Sequence, residues 1–528
     1  MTHLKLVEAM QKPDFYPHRP ANVEFIQTHI SYVFIAGDYV YKVKKPLKFD
    51  FLDFTTREKR KFFCEEELKL NRRLAPDTYL DVVSLSRNEA GDITLDQGIE
   101  IVDYAVRMKK LPGDRMLKTL LARGTADEKI MDALARKIVL FHQQARTDSR
   151  IDKMGDIENI RHNHEENFAE TEKFIDVTIS EYQYSLIKDF ANKFLIENKK
   201  HFEQRITDHK IRDCHGDLHL DHICINDEIT IFDCIEFNER FRWGDVAEDV
   251  AFLTMDIDFN GWPHHAENFI QSYLKYSGDT GLLKLLNFYR CYYAYVRGKV
   301  TSLRLLQEDT TADEQRDITE TAEHYFDLAY TYAARLDKPV LILTAGLMGS
   351  GKSYQARRLA VRLGTEIIRT DELRKALFNI RTTERRHERF GDGIYSDDIS
   401  RLVYEKALAL AEQKINLGKA VIIDASFKKR TERLKALALA KKLQIRFFVL
   451  ECFCPDDITQ KRLEKRVLDN DNVSDGRWEL FQQQKDNFEP IDEITADYRF
   501  KIDTSEKPEV FRHEMIRKIK LAEFEMVK

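Results

Sequence analysis

The chain has 528 residues, of which 43% are hydrophobic and 33% charged, and its formal net charge is -6. At about 150 residues per domain this length holds two to four units, and the balance is that of a globular chain, without an overall basic field for nucleic acid. Seven cysteines, odd in number and with no C-x-x-C pair, argue against a disulfide framework or a zinc ribbon. The first twenty residues lack the apolar centre of a secretory leader, and no apolar run approaches the roughly 18 residues of a membrane span. A cytoplasmic protein with no membrane partner is expected.

In chain order, Tyr32–Ile35 and Tyr39–Val43 flank Ala36-Gly37-Asp38 and predict a hairpin. A charged helix is expected over Thr56–Leu74 and another strand over Ile99–Met108. After Leu111-Pro112-Gly113 the chain reads as mostly helical to residue 209, broken by a β-like patch at 211–235 and then helical again. A small strand-rich lobe joined to a larger helical lobe follows from this order.

Alternation places Val40, Lys42 and Lys44 on one strand face. In the helix, Phe63, Glu67, Leu70 and Leu74 fall at spacings of four, three and four, so Glu67 lies in an apolar stripe. A carboxylate there needs a partner, and Lys42 is the expected one, because Tyr-Val-Tyr-Lys parallels the V-A-I-K pattern of kinases. Downstream, His215-Gly216-Asp217-Leu218-His219-Leu220-Asp221-His222 precedes the short pair Ile223–Ile225 and Ile229–Phe232, and then Asp233. A kinase site needs a catalytic-loop Asp, a metal-binding residue five positions on, and a metal-binding Asp after the next strand; Asp217, His222 and Asp233 hold those places. A polar turn bonded only to backbone is the plainer alternative. His142 is read as structural, His264-His265 has no partner at metal-ligand spacing, and Asp245 and Asp249 are read chiefly as helix-start residues.

With H-G-D-L-H, Val40–Lys45, Leu70–Pro76 and Phe232–Phe237, roughly residues 20–300 resemble the aminoglycoside-phosphotransferase-like kinases, in a bacterial subfamily with a fused P-loop domain. The resemblance implies a bilobal kinase fold, Asp217 as base, Asp233 on Mg²⁺, and ATP or GTP as nucleotide. It has Asn where this chain has His222, and imidazole replaces an amide oxygen poorly on Mg²⁺. Either the second metal is lost or Asp221 substitutes for it.

A helix over Ala312–Arg335 and a break at Pro339 set the domain boundary, with 1–335 on one side and 336–528 on the other. Beyond it, apolar runs alternate with helical stretches, the pattern of a doubly wound parallel α/β sheet. The strand Val340–Leu343 leads into Gly346-Leu347-Met348-Gly349-Ser350-Gly351-Lys352-Ser353, a complete G-x-x-x-x-G-K-[ST] followed by a helical run. Its amides would cradle phosphates, Lys352 would reach the β/γ-phosphates, and Ser353 would bind Mg²⁺. The strand Glu366–Arg369 ends at Thr370-Asp371 with Arg374 three residues on; Asp371 could accept an acceptor's proton or cap the next helix. Val421–Ile423 ends in Asp424, suited to the metal shell. Arg462 and Arg466 share a helix face, either on a phosphate-clamping lid or on a solvated surface.

Residues 339–505 resemble the P-loop kinase group of polynucleotide 5′-kinases, zeta-type toxins and small-molecule phosphotransferases, through G-L-M-G-S-G-K-S, T-D-x-x-R, I-I-D-A-S-F at 422–427, and the arginine-bearing helix followed by Val473-Ser474-Asp475. The resemblance implies a kinase in which Asp371 and Arg374 act as base and phosphate contact. The whole reads as an ATP-dependent phosphotransferase for a small hydroxylated molecule. The alternatives are a nucleotide-binding regulator whose kinase-like part governs a P-loop ATPase, and a nucleic-acid end kinase, which the charge does not favour.

Overall fold

The computed structural model describes residues 2–49, 51–307, 310–381, 384, 391–467, 476–505 and 509–525, with no account of the side chains of 2, 3, 466, 467 and 509–512. Its chain packs into two compact units, one of 1–174 with 198–329, the other of 175–197 with 330–528. A single cut between 335 and 336 does not describe this packing. The helix Glu181–Glu197 buries Leu186, Ile187, Phe190 and Phe194 and packs with the helix Glu509–Ala522 of the second unit. There Tyr182 stacks on His513, Lys520 lies over Phe190, and Arg517 Nε donates to Asp189 at 2.8 Å. No change in composition marks the ends of this segment, so local pattern could not reveal it.

The first unit holds a six-stranded antiparallel sheet in the order Val23–Gln27, Ser31–Ala36, Tyr39–Lys44, Glu100–Lys109, Tyr79–Arg87, Ile93–Leu95. The predicted hairpin is its second and third strands, closed at Ala36 and Tyr39; Gly37, at φ +62°, supplies the left-handed turn residue. Thr56 caps the helix Arg57–Asn71 by accepting from Lys59 N–H. That helix packs on the two longest strands, with Cys64, Tyr79, Val106 and Met108 in the shared core. The helices Glu128–Gln144, Val246–Phe259, Pro263–Ser277 and Leu282–Leu303 pack on one another. Between the helical segments lie the short strands Ile211–Asp213, Ile223–Ile225 and Ile229–Ile231.

The second unit is built on a parallel sheet in the order Glu366–Arg369, Val421–Asp424, Val340–Ala345, Arg446–Phe453, Arg499–Asp503. The central strand is buried along its whole length, as expected of a parallel strand covered on both faces. Loops at the carboxyl ends of such strands form the sites of open α/β sheets, and Gly346, Thr370 and Ala425 all begin there. No helix among the described residues is long and apolar enough to cross a membrane.

Candidate functional sites

In the first unit, Glu67 is fully buried between two ammonium groups. Lys42 Nζ lies 2.9 Å from Glu67 Oε1 and 2.5 Å from Asp233 Oδ1. Lys44 Nζ lies 2.7 Å from Glu67 Oε2 and also pairs with Glu236. The structure thus brings Lys42, Glu67 and Asp233 together and adds two groups that sequence reading passed over. Both left a signal: Lys44 shares the face of Lys42, and Glu236 stands three residues after Asp233. Desolvation opposes ionisation of Asp233, but Lys42 above all, with His222, holds its carboxyl well below the usual range. Burial acts first on Glu236, pushing it up against the pull of Lys44.

The loop bearing Asp217 is held by its backbone. Asp249 accepts from His215 N–H and Gly216 N–H, both at 2.9 Å, and pairs with His142 Nε2 at 3.0 Å; His142 Nδ1 in turn meets Tyr273 Oη at 2.8 Å. Asp256 accepts from Leu220 N–H at 2.9 Å. Asp245 caps the helix bearing both acids, in a reciprocal capping box with Glu248. Gly216, at φ +81°, cannot be substituted freely: a Cβ there would sit 2.5 Å from the Phe241 carbonyl oxygen. Asp233 also has a left-handed backbone, φ +61°, a strained conformation that packing must hold. Asn71 Oδ1 does so by accepting from Cys234 N–H at 2.9 Å.

Asp217 keeps about a third of its side chain exposed, 33%. Desolvation pushes its carboxyl up, against the opposing pull of His222 and then Arg297. Arg297, from the helix Leu282–Leu303, lies over the Tyr325 ring, 5.6 Å from its centroid, and Tyr325 stacks on Phe259 at 3.7 Å. Nothing in the local sequence around Arg297 placed it here. His222 Nδ1 meets the Asp217 carbonyl oxygen at 2.9 Å, and its Nε2 lies 3.6 Å from Asp233 Oδ2. His219 Nε2 lies 3.7 Å from Asp217 Oδ2. The carboxylate of Asp221 is taken by Lys118 at 2.9 Å.

In the second unit, the turn from the central strand into the helix Lys352–Leu363 has positive φ at Gly346, Gly349 and Gly351. Lys352 Nζ donates to Leu347 O at 2.7 Å, and Met348 N–H donates to Gln484 Oε1 at 2.6 Å. Ser350 Oγ is buried with no hydrogen-bond partner. Asp424 accepts from Thr344 Oγ1 at 3.2 Å, and its Oδ2 faces Arg369 Nε at 3.5 Å. Asp371 lies in the first turn of the helix Thr370–Leu377, whose N-cap is Arg369, so it is not a cap. Burial pushes the Asp371 carboxyl up; Arg374 opposes this, Asp424 adds to it, and Lys352 opposes it.

The arginines are placed differently from one another. Arg374 is buried; its Nη1 donates to Ile394 O at 2.6 Å, and its guanidinium lies over the Tyr395 ring. Arg462 donates to Thr504 Oγ1 and Thr504 O at 2.7 and 2.6 Å, and Thr504 Oγ1 donates to Ser350 O at 2.9 Å. Arg462 is therefore tied beneath the Gly-rich turn, not spread on a solvated face. The side chain of Arg466, and Val473-Ser474-Asp475, lie outside the described residues.

Residues 61–286 match the model of the Phosphotransferase enzyme family, and residues 341–491 that of an AAA domain. The chain is 30% identical over 455 residues to the "Uncharacterized protein Rv2004c" of Mycobacterium tuberculosis (strain ATCC 25618 / H37Rv), spanning 86% of this chain and 88% of that protein. Among solved structures, the choline/ethanolamine kinase family protein from Mesorhizobium loti aligns at 13% identity with a TM-score of 0.35, over 62% of this chain and 99% of that one. A gluconokinase from Sinorhizobium meliloti 1021 aligns at 20% identity with a TM-score of 0.25, over 36% and 95%. At these scores the likeness bears on neither substrate nor mechanism. The chain belongs to the same family as the mycobacterial protein, and it is a fusion of a phosphotransferase-type domain with a P-loop kinase-like domain.

Proposed function

We propose that the chain is an ATP-dependent phosphotransferase that transfers a phosphoryl group to a hydroxyl of a small molecule at the P-loop site, with a second site for ATP or GTP in the first unit. One observation carries this reading: a glycine turn between the central parallel strand and a helix N-terminus, with Asp424 at the end of the adjacent strand and Asp371 just past the end of the edge strand beyond it. Main-chain amides and the helix dipole favour a polyphosphate there. Ser353 and Asp424 offer the hard oxygen donors that suit Mg²⁺, which when bound would neutralise phosphate charge. Lys352 would turn from Leu347 O to the β/γ-phosphates. Asp371, made more basic by burial, would take the proton as the acceptor oxygen bonds to the γ-phosphorus and the bond to the ADP oxygen breaks. Arg374 and Arg462 would hold the walls of the site through Ile394 and Thr504, and Arg466 would complete the clamp on the phosphates.

In the first unit, Lys42, positioned by Glu67, would hold the nucleotide phosphates, Asp217 would act as base, and Asp233 as metal ligand. The histidine at 222 fits Mg²⁺ poorly, and it favours a second reading, in which this unit binds nucleotide and governs the P-loop unit without transferring phosphate. A screen of metabolites and oligonucleotides with labelled ATP tests both, using wild type beside Lys352→Ala and Asp217→Ala. Transfer that disappears in Lys352→Ala supports the first reading. Transfer that survives it and disappears in Asp217→Ala reverses the division of labour, and labelling of oligonucleotide ends alone would make the acceptor a nucleic acid.

A further inference from the structure

One of the two donors at the metal position of the first unit is not of the kind Mg²⁺ takes. Mg²⁺ demands oxygen ligands in near-ideal octahedral geometry, at about 2.0–2.1 Å, so two adjacent donors lie about 2.9 Å apart. Here one donor is an imidazole, and His222 Nε2 stands 3.6 Å from Asp233 Oδ2. A zinc-class ion with metal–ligand bonds of about 2.0–2.2 Å at a tetrahedral angle sets its donors about 3.4 Å apart. The observed spacing lies near this second value.

The imidazole is also prepared as a ligand. The Asp217 carbonyl oxygen can only accept, so the contact of 2.9 Å makes His222 Nδ1 the N–H donor and leaves the lone pair on Nε2. A carbonyl that fixes tautomer and ring orientation in this way is the usual outer partner of a metal-bound histidine. On the other side, Lys42 occupies Asp233 Oδ1 at 2.5 Å and leaves Oδ2 towards the imidazole. Asp221, the nearby oxygen donor that could have replaced an amide, is engaged by Lys118.

We infer that His222 Nε2 and Asp233 Oδ2 form a site for a transition-series divalent cation of the zinc class in preference to Mg²⁺, the remaining positions being open to nucleotide oxygens and water. This rests on the reading that the first unit binds nucleotide. Its consequence is that the two units take different metals, with imidazole selecting in one and hydroxyl with carboxylate in the other.

The test uses Co²⁺ with the full-length chain carrying Lys352→Ala, which silences the P-loop, with and without a non-hydrolysable ATP analogue. The expected result is a visible ligand-field band that saturates at one equivalent, with Mg²⁺ displacing Co²⁺ only at a concentration at least about tenfold higher. Thiolate binding would announce itself by a separate sulfur-to-cobalt band in the near ultraviolet. His222→Asn should lose the band and at least about tenfold in Co²⁺ affinity, since loss of an outer partner alone costs that much. Equal displacement by Mg²⁺ in the Lys352→Ala chain, which leaves His222 untouched, or an unchanged band in a folded chain that also carries His222→Asn overturns the inference. A band that forms while the ATP analogue fails to bind supports the metal site and sinks the nucleotide reading of this unit; no band under either condition sinks the metal site itself.

Discussion

Lys42 and Lys44 share Glu67 from the same strand face, yet their loss should have opposite consequences. Lys44→Met keeps the stem and removes an ammonium that is fully buried. Glu236, its side chain only 4% exposed, then loses the ammonium that pairs with it, and Glu67 keeps Lys42. Breaking a buried pair from one side costs about 3–5 kcal/mol; because Glu67 retains one partner, the lower end, about 3 kcal/mol, is expected. With a urea slope near about 3 kcal/mol/M, the midpoint should fall by about 1 M. Trp243 and Trp262 lie in the first unit, so their fluorescence can follow it. Lys42→Met should cost only about 1 kcal/mol, because Asp233 is 37% exposed and water screens it, but it should abolish nucleotide binding by this unit in a Lys352→Ala chain. Adding Glu236→Gln to Lys44→Met should restore most of the lost stability. If Lys44→Met unfolds at the wild-type midpoint, or if Lys42→Met is the less stable of the two and still binds nucleotide, this division into a structural and a functional lysine is wrong.

Gly346→Ala sets a Cβ 2.2 Å from the Cys452 carbonyl oxygen at φ +137°. The carbonyl belongs to a neighbouring strand and cannot retreat cheaply, so strain of about 1–3 kcal/mol and at least a tenfold loss of ATP affinity, about 1.4 kcal/mol, are expected by calorimetry. Asp371→Asn should lower kcat by about a hundred- to ten-thousand-fold and leave ATP affinity unchanged; an equal fall in affinity would make Asp371 a binding group instead. Glu248 is pushed up to about 8 from 4.5, first by burial and then by Asp245. The fold prefers its neutral form, so its contribution to stability is full below pH 4.5 and is lost as pH rises to about 8. Glu248→Gln keeps the acceptor for Asp245 N–H and should gain on wild type between pH 5 and 8 by on the order of 2–4 kcal/mol, read from denaturation midpoints; a gain that is the same at both pH values would refute this account.

Much of the local structure was legible because each element had both a period and a stop. Alternation and Gly37 defined the hairpin, Thr56 the start of the next helix, and Pro339 the opening of the parallel sheet. Glu67 announced itself as a carboxylate in an apolar stripe. What stayed hidden depends on contacts distant in sequence. In the helix Arg430–Lys442 the buried residues are Arg433, Ala436 and Ala440, while Leu434 is 41% exposed, so hydrophobicity alone does not mark its inner face. A fully buried arginine there becomes tolerable only because Phe427 O and Pro490 O accept from it, both at 2.8 Å, and Glu493 neutralises it. Arg374 and Arg462 carried the residue type expected of phosphate contacts, while the carbonyls that hold them lie 20 and 42 residues away.

The helix Glu181–Glu197 has a consequence for how the polypeptide is made. Its apolar face finds its partner helix only once residues beyond Glu509 have been synthesised, more than 300 residues later. At roughly 5–20 residues per second, Leu186, Ile187, Phe190 and Phe194 wait about a quarter of a minute to a minute on the ribosome before that partner helix has been made. A messenger truncated before that point would release a chain whose earlier half is translated in full and still presents a greasy helix to whatever chaperone or neighbouring chain reaches it first.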